Sequence, residues 1–210
     1  MRLPPETTLA REYGVNRHTL RRALADLTAR AKLRNVPHIG TFVERARIPF
    51  PLDKTTRFGV AMESAGHKLS GTLLSSEVKI PPERIAEQLK VAARTQVIEM
   101  VHVRKANDRP FVLVTTWLPA DRFAKFPSYY VATGGSLKMA FAQSGVPRYE
   151  RTHIKISSRR ADAFEREQLE LEDGTILLAI ETVSVDMNGE PINVSTFHFS
   201  ADRFEFVVEP

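Results

Sequence analysis

The stretch Leu9–Leu24, LAREYGVNRHTLRRAL, decides the fold of the first part of this chain. Its apolar residues begin with the spacing of one helix face, at Leu9, Ala10 and Tyr13. Gly14 then suits a sharp turn, because glycine takes positive φ without steric cost, and Asn16 is a favourable N-cap for a second helix. Two short helices joined by a glycine turn predict a helix-turn-helix, in which the second helix enters the major groove of DNA.

The second helix is predicted to bury an apolar stripe and to present a basic surface on its other side. The predicted stripe consists of Leu20, Ala23, Leu24, Leu27 and Ala31. The candidate DNA-contacting residues lie off this stripe: Asn16, Arg17, His18, Thr19, Arg21 and Arg22. Arginine suits guanine edges or phosphate oxygens, and threonine or asparagine suits phosphate or adenine. A solvated charged face on an ordinary amphipathic helix is the alternative interpretation, and the glycine turn after a first helix argues against it.

A β-hairpin is predicted directly after these helices. Residues 33–36 and 41–44 have the pattern of short strands, with Pro37-His38-Ile39-Gly40 as the turn between them. The hairpin is the wing of a winged helix-turn-helix, which we place at residues 1–46. Arg34 and His38 are its candidate DNA contacts.

Charge is distributed unevenly between the two parts of the chain. Residues 1–47 contain ten Arg or Lys and four Asp or Glu, whereas the whole chain has a formal net charge of +5. The first segment is therefore +6 and the remainder −1. A local positive field favours binding to a polyanion through counterion release.

The composition excludes several classes of protein. The chain has no cysteine, which excludes a disulfide framework and a cysteine-ligated zinc site. It has no apolar run of about 18 residues and no apolar signal-peptide core, so we expect a cytoplasmic protein without a membrane span. The six histidines show no metal-ligand spacing, and no common catalytic motif is present. We therefore expect neither an enzyme nor a metal site nor a bound cofactor.

A linker is predicted at residues 47–56, where Pro49 and Pro51 interrupt a charged segment without apolar periodicity. We expect a short helix over residues 55–65 to follow, ending at Gly66. The second domain would then occupy residues 57–210.

The second domain contains an internal repeat with an offset of about 80 residues, marked by Ala-Asp-Arg-Phe at 120–123 and again at 201–204. Before each copy the pattern predicts a helix (83–89 or 160–169), a strand (96–105 or 175–186), a tight turn and a second strand (111–118 or 192–199). Residues 69–80 and 204–209 are predicted as further strands, and residues 136–143 as a helix. These elements predict an α+β domain built on an antiparallel sheet.

Several of these motifs resemble the GntR family of bacterial regulators. The resemblance rests on Leu3-Pro4-Pro5-Glu6, on Val15–Leu24 and on Gly40-Thr41-Phe42-Val43, and Val15–Ala23 is most similar to the phosphonate-metabolism regulators of the HutC branch. The family has another helix before the position of Leu3, so we expect the first DNA-binding helix to be missing here. Thr7 stands where many relatives carry a DNA-contacting arginine, and Pro37-His38 replaces a Gln-Gly pair at the wing tip.

The second domain resembles the UTRA effector-binding domain over roughly residues 57–208. The best-matching segments are Ile156–Ala161 and the stretch from His102 to Pro119. The resemblance implies a fold like that of chorismate lyase, a small effector and a homodimer whose grip on operator DNA the effector alters.

Four residues are predicted to bind the effector. Strand alternation places Ile98, Met100, His102 and Arg104 on one face, so that an apolar face ends in two basic side chains. Arginine captures phosphate, phosphonate or carboxylate with two hydrogen bonds. The UTRA comparison carries His102 and Arg104 onto effector-binding positions, together with Ser136, which starts a helix after two glycines, and Asn193.

The same comparison favours a small anion as the effector. Phe199 and Val114 replace a tyrosine and a glutamate that contact ligands in relatives that bind amino sugars. Alternative roles remain for each candidate: Arg104 as an ion-pair partner, His102 as a structural residue and Ser136 as an N-cap. Arg148, Arg151, Arg159 and Arg160 are expected to be surface charges, each able to complete an anion pocket, and Trp117 is expected to lie in the core.

The sequence therefore predicts a dimeric repressor that binds operator DNA and is controlled by a phosphonate, phosphate or similar anion. Two alternatives remain. One is a regulator from another HutC-type pathway, responding to a sugar phosphate or urocanate. The other is a ligand-binding protein with impaired DNA binding.

Overall fold

The computed structural model describes residues 2–30, 32–36, 39–43, 48–51, 62 and 66–207, without the side chains of 48–51. The chain divides into two compact units, residues 1–48 and residues 49–210. Among the described residues, no helix is both long enough and apolar enough to cross a membrane.

The first unit is a helix-turn-helix followed by a hairpin. Helix α1 spans Glu6–Glu12 and helix α2 spans Arg17–Ala29. Between them Gly14 has φ 62°, the left-handed conformation that the turn was predicted to need. Strands β1 (Leu33–Val36) and β2 (Gly40–Val43) pair antiparallel, which confirms the predicted wing. His38 and Ala31 lie outside the described residues.

The core of this unit is smaller than the helical pattern predicts. Leu9, Ala10 and Leu20 form the buried cluster, and Leu3 and Leu24 pack partly against it. Ala23 and Leu27, which were predicted to lie in the buried stripe, are exposed, Leu27 to 40%, and Tyr13 is 68% exposed. Among the described elements, α1 and β1 contact α2, and they leave Ala23 and Leu27 accessible to solvent.

The predicted linker contains a strand. Strand β3, Ile48–Pro51, pairs with the last strand of the chain, β10, Phe204–Val207. The division between the two compact units lies within the predicted linker, and four residues of the linker are extended and paired. Proline is compatible with a strand that has no neighbour on its other side. The helix expected at 55–65 lies outside the described residues, except that Met62 is helical and buried.

The second unit is built on one six-stranded antiparallel sheet. Its strands are β4 (Leu69–Lys79), β5 (Val97–Ala106), β6 (Arg109–Pro119), β7 (Tyr149–Arg160), β8 (Ile176–Asp186) and β9 (Pro191–Ser200). Their order across the sheet is β4-β5-β6-β9-β8-β7. The sequence repeat is confirmed, because each half contributes three strands and the halves meet at β6 and β9.

The helices of the repeat lie in corresponding places. Helix α3, Glu83–Leu89, follows β4, and helix α7, Ala163–Leu169, follows β7. Helix α7 begins later than the predicted residue 160, because Arg160 still belongs to β7 and Asp162 caps the helix by accepting a hydrogen bond from the Glu165 N–H. Sequence patterning also missed strand β7, because most of its residues are exposed and do not show a clear alternation of buried and exposed positions.

Three more helices follow the first repeat's hairpin: α4 (Ala120–Phe123), which is the first Ala-Asp-Arg-Phe segment, and then α5 (Phe126–Ala132) and α6 (Leu137–Gln143), which lie in an insertion between the halves. They cover the sheet face that carries Ile98 and Met100, and together they form the largest buried cluster, with Phe123, Phe126, Tyr130 and Phe141. The opposite face packs against α3 and α7. There Val97 and Trp117 contact α3, and Val103 and Leu113 contact α7. This confirms the predicted alternation along β5 and the core position of Trp117.

Candidate DNA-binding and effector sites

The candidate DNA-binding residues of α2 lie at its exposed N-terminal end. Arg17, His18, Thr19 and Arg22 are all exposed. Asn16 is the N-cap, as predicted, and its side-chain oxygen accepts a hydrogen bond of 2.8 Å from the Thr19 backbone N–H. This bond fixes the first turn of the helix and leaves the amide group of Asn16 as its remaining donor.

Arg21 is tied to α1 by an ion pair that the sequence did not suggest. Its Nε donates to Glu6 Oε2 at 2.8 Å, and both side chains remain substantially exposed. The hydrogen bond and charge of Glu6 raise the pKa of the Arg21 guanidinium. Glu6 therefore orients Arg21 and offsets part of its charge, which distinguishes it from Arg17 and Arg22.

The wing presents two arginines beside one phenylalanine. Phe42 pairs with Arg34 on one side and with Arg2 on the other, so the three residues form a cross-strand row. The Arg34 Cζ lies 5.7 Å from the centre of the Phe42 ring. A methyl group placed on Gly40 would lie 2.9 Å from Arg2 Nε, which shows that the Arg2 guanidinium rests against the glycine.

Arg2 is a residue that sequence reasoning missed. Its backbone extends the hairpin by one bridge, and the next residue, Leu3, donates its N–H to the Thr41 carbonyl at 2.8 Å. The only signal in the sequence was its charge, since a single extended residue shows no periodicity.

Three of the four predicted effector residues lie around one point of the second unit. Arg104 on β5 pairs with Gly71 on β4, and the Gly71 N–H donates to the Gly134 carbonyl at 3.0 Å. A methyl group on Gly71 would lie 2.8 Å from the Gly135 Cα, so the loop before α6 touches the strand here. Ser136 follows directly, and its hydroxyl caps α6 by accepting the Met139 N–H at 3.3 Å.

His102 is completely buried and uncharged. Burial, assisted by the nearby charge of Arg104, lowers its pKa to about 3. The expectation that His102 adds positive charge at the end of an apolar face is therefore wrong: it contributes a neutral imidazole. Its Nε2 lies 3.3 Å from Thr116 Oγ1 and its Nδ1 lies 2.9 Å from the Tyr130 hydroxyl oxygen.

Tyr130 is a second residue near a candidate site that the sequence did not indicate. It lies on α5, is fully buried and places its ring 4.7 Å from the His102 ring. A methyl group on Gly71 would lie 2.4 Å from its hydroxyl oxygen, so this oxygen points toward the Gly71–Arg104 pair. Burial raises the pKa of Tyr130, and the charge of Arg104 partly opposes that effect. In the sequence, Tyr129-Tyr130 has only the character of a core segment.

Asn193 is connected to this site but does not lie beside Arg104. In register, Arg104 aligns through Val112 with Phe199, six residues along β9 from Asn193, which corresponds to roughly 20 Å of strand. Hydrogen bonds bridge part of this distance: Asn193 Nδ2 donates to Ser195 Oγ at 2.7 Å, and that oxygen lies 3.0 Å from Thr116 Oγ1.

A second charged cluster lies on the opposite face of the sheet. Arg159 donates two hydrogen bonds of 2.6 Å to Glu165, and His198 Nδ1 lies 2.8 Å from the same carboxylate. Glu165 also accepts from the Asp162 N–H as part of the capping box of α7. Arg159 is thus a structural ion-pair partner. Within the described part of the chain, no group of three or more His, Cys, Asp or Glu side chains is arranged to hold a metal ion.

Comparison with known families agrees with both units. Residues 1–43 match the model of bacterial regulatory proteins of the gntR family, and residues 64–205 match the UTRA domain. Regulators of the first family bind operator DNA, and domains of the second bind small-molecule effectors.

Individual relatives span nearly the whole chain. An uncharacterized HTH-type transcriptional regulator of Rhizobium meliloti is 37% identical over 99% of this chain and 85% of its own length. The probable transcriptional regulator PhnF of Escherichia coli is 28% identical over 99% of this chain and 86% of its own length.

A solved structure shares the architecture. The crystal structure of PhnF from Mycobacterium smegmatis matches with a TM-score of 0.73 at 24% identity, covering 100% of this chain and 91% of that one. Since the relatives are named as transcriptional regulators, the comparison also agrees with the expectation that the chain is not an enzyme. The chain belongs to the GntR family of bacterial transcriptional regulators and carries a UTRA domain.

Proposed function

We propose that this regulator is a cytoplasmic, homodimeric repressor whose affinity for operator DNA is controlled by a small anion, a phosphonate or phosphate. The observation that supports the effector class is the position of Arg104. Its charge acts on the buried, neutral His102 and on Tyr130, where β5 meets the loop before α6. A guanidinium among neutral hydrogen-bonding groups suits a compact oxyanion, because it can bind two oxygens at once.

The effector site in this proposal consists of His102, Arg104 and Ser136, with Asn193 acting from a distance. Ser136 caps α6 with its hydroxyl oxygen, so that its proton remains available as a donor. The resemblance of Val15–Ala23 to the phosphonate-metabolism regulators of the HutC branch supports a role in phosphorus metabolism.

The DNA-binding surface in this proposal combines α2 and the wing. Arg17, His18, Thr19 and Arg22 lie in the major groove, with Asn16 and Arg21 held in place by the N-cap bond and by Glu6. Arg34 and Arg2 contact phosphates from the wing, and His38 belongs to the same tip. Two copies of α2 are needed to read the two halves of a symmetric operator, which is the reason for a homodimer.

The first test is thermal unfolding of the full chain with methylphosphonate, 2-aminoethylphosphonate, phosphate, glucosamine 6-phosphate and urocanate. A ligand that binds only the folded state raises the midpoint with its concentration. We expect a rise with the phosphonates or phosphate, abolished in Arg104→Ala and retained in Arg94→Ala, a control at an exposed arginine of the same unit. A rise only with the sugar phosphate or urocanate would contradict the phosphorus assignment.

A DNA-binding experiment distinguishes the repressor from the remaining alternative, a ligand-binding protein with impaired DNA binding. The wild-type protein is used to enrich a DNA duplex from a pool of random sequences. Arg17→Ala should bind this duplex more weakly than the wild type does, and Arg94→Ala should bind it equally well. A protein that binds an anion but enriches no duplex sequence is a ligand-binding protein without DNA function, and the repressor proposal would then be wrong.

A further inference from the structure

One continuous series of hydrogen bonds runs through the interior of the effector-binding unit and ends beside Arg104. It consists of Asn193, Ser195, Thr116, His102 and Tyr130, in that order. All five side chains are at most 4% exposed. Water therefore has little access to this buried series, and the position of each proton is set by its neighbours.

The asparagine sets the direction of the series. Asn193 Nδ2 donates to Ser195 Oγ, so the single proton of Ser195 is available to Thr116, and the proton of Thr116 to His102 Nε2. His102 then carries its proton on Nδ1 and donates it to the Tyr130 oxygen. In this arrangement Tyr130 keeps its own hydroxyl proton for an acceptor outside the series.

The opposite direction is the competing arrangement. Tyr130 would then donate to His102, His102 to Thr116 and Thr116 to Ser195, which already accepts from Asn193. With the Asn193 amide in its present orientation, the Ser195 proton would then point at a donor. Turning the amide over would let Asn193 Oδ1, which has no hydrogen-bond partner among the described residues in the present orientation, accept that proton, but it would take Nδ2 away from the Ser195 oxygen. A buried donor without an acceptor is costly. The present orientation of the Asn193 amide therefore favours the first direction, in which the unused hydroxyl proton is that of Tyr130, beside the charge of Arg104.

We propose that Tyr130 donates its hydroxyl proton to the anion bound at Arg104, and that the bound anion fixes the direction of the whole hydrogen-bonded series. This inference rests on the proposed function, since it adds a residue to the same effector site. The Tyr130 oxygen faces Gly71, the register partner of Arg104, which places the donor and the guanidinium on the same side of the site.

It follows that the site prefers an effector whose ionised oxygen lies between Arg104 and Tyr130. Arg104 supplies the charge and Tyr130 supplies a directed donor. Because burial raises the pKa of Tyr130, the phenol stays protonated over the physiological range and cannot act as the anion itself.

The test compares Tyr130→Phe with Tyr129→Phe in the full chain. Tyr129 is the neighbouring residue on α5, packs against the same cluster and takes no part in the series. Affinity for methylphosphonate and for inorganic phosphate is measured from the concentration dependence of the thermal midpoint. We expect Tyr130→Phe to weaken binding about tenfold and Tyr129→Phe to leave it unchanged. Wild-type affinity in Tyr130→Phe, with binding lost in Arg104→Ala, would overturn this inference alone.

The two failures are distinguishable. If neither anion moves the wild-type midpoint, the proposed function fails and this inference fails with it. If Arg104→Ala removes binding while Tyr130→Phe does not weaken it, the anion site stands and the role of Tyr130 is wrong.

The imidazole tautomer gives an independent readout. In the anion-saturated protein, 15N NMR should show His102 protonated on Nδ1, and protonation on Nε2 would contradict the proposed direction. Thr116→Val removes the donor to Nε2. It should lower anion affinity in the wild type and have no further effect in Tyr130→Phe, whereas additive losses would count against the coupling.

Discussion

At the scale of single residues, His102 shows how position determines chemistry. A histidine at the end of an apolar strand face has the pattern of a basic ligand contact, but this one is enclosed by the sheet and by α5. Burial, together with the nearby charge of Arg104, lowers the pKa of His102 to about 3. Its contribution to the site is a hydrogen bond of defined direction.

The depressed pKa of His102 predicts a pH dependence of stability. The unfolded histidine titrates near its ordinary value of about 6.5, whereas the folded one does not bind a proton until about pH 3. Stability from this residue is therefore fully present above about pH 6.5 and declines as the pH falls.

Between about pH 7.5 and pH 5.5, wild type should lose about 1 kcal/mol more unfolding free energy than His102→Gln. Urea unfolding followed by the fluorescence of Trp117, the only tryptophan and a core residue of the effector-binding unit, measures this difference. Parallel pH profiles for the two proteins would show that His102 is not a neutral buried group.

At the scale of elements, the wing and α2 differ in how much of their surface is already engaged. Arg21 is held by Glu6, and Asn16 by its own helix, whereas Arg17 and Arg22 extend from exposed positions. Arg2 and Arg34 lie on either side of Phe42 across paired backbones, which limits their freedom before DNA arrives. Preorganised charges lose less conformational entropy when they bind.

The wing arginines should act through phosphates. If each contacts one phosphate, Arg2→Ala and Arg34→Ala should each reduce the slope of log affinity against log salt concentration by about 0.9. The matched control is Arg94→Ala, which removes an exposed arginine from the other unit and should leave the slope unchanged. The measurement is a salt titration of operator binding by fluorescence anisotropy. An unchanged slope in Arg2→Ala would remove that residue from the DNA surface.

At the scale of the whole molecule, the effector-binding unit combines a duplicated sheet with helices that are inserted between its two halves. The two repeats form one sheet in which the strands follow the same order from each edge to the middle, β4-β5-β6 from one edge and β7-β8-β9 from the other. The insertion Phe126–Gln143 breaks this likeness, because its helices cover one face and bring Tyr130 and Ser136 to the first repeat. The surroundings of Arg104 in the first repeat therefore have no counterpart in the second.

Binding of the effector and of the operator should be linked in this regulator. If the anion lowers operator affinity by some factor, operator DNA must lower anion affinity by the same factor. We expect equal factors in the wild type and a factor near one in Arg104→Ala, with operator affinity itself retained. Titration of each ligand in the presence and absence of the other measures both factors. Unequal wild-type factors would mean that the two ligands do not act on one shared equilibrium.

Local sequence determined those features of this protein that depend on neighbouring residues. Gly14 and Asn16 specify the turn and cap between α1 and α2, and the 80-residue repeat specifies paired helix-hairpin units. Alternation along β5 assigned His102 and Arg104 to the same face as Met100. These predictions succeeded because φ preference, capping and side-chain periodicity act over a few residues.

Tertiary structure decided what depends on residues distant in the chain. Sequence spacing could not show that Leu27 is exposed, that β7 is an edge strand, or that Glu6 forms an ion pair with Arg21. The neutral state of His102 and its bond to Tyr130 also come from packing, since 28 residues separate the two in sequence. Burial and hydrogen-bond partners are properties of the assembled sheet, and so the chemistry of this site follows from the fold.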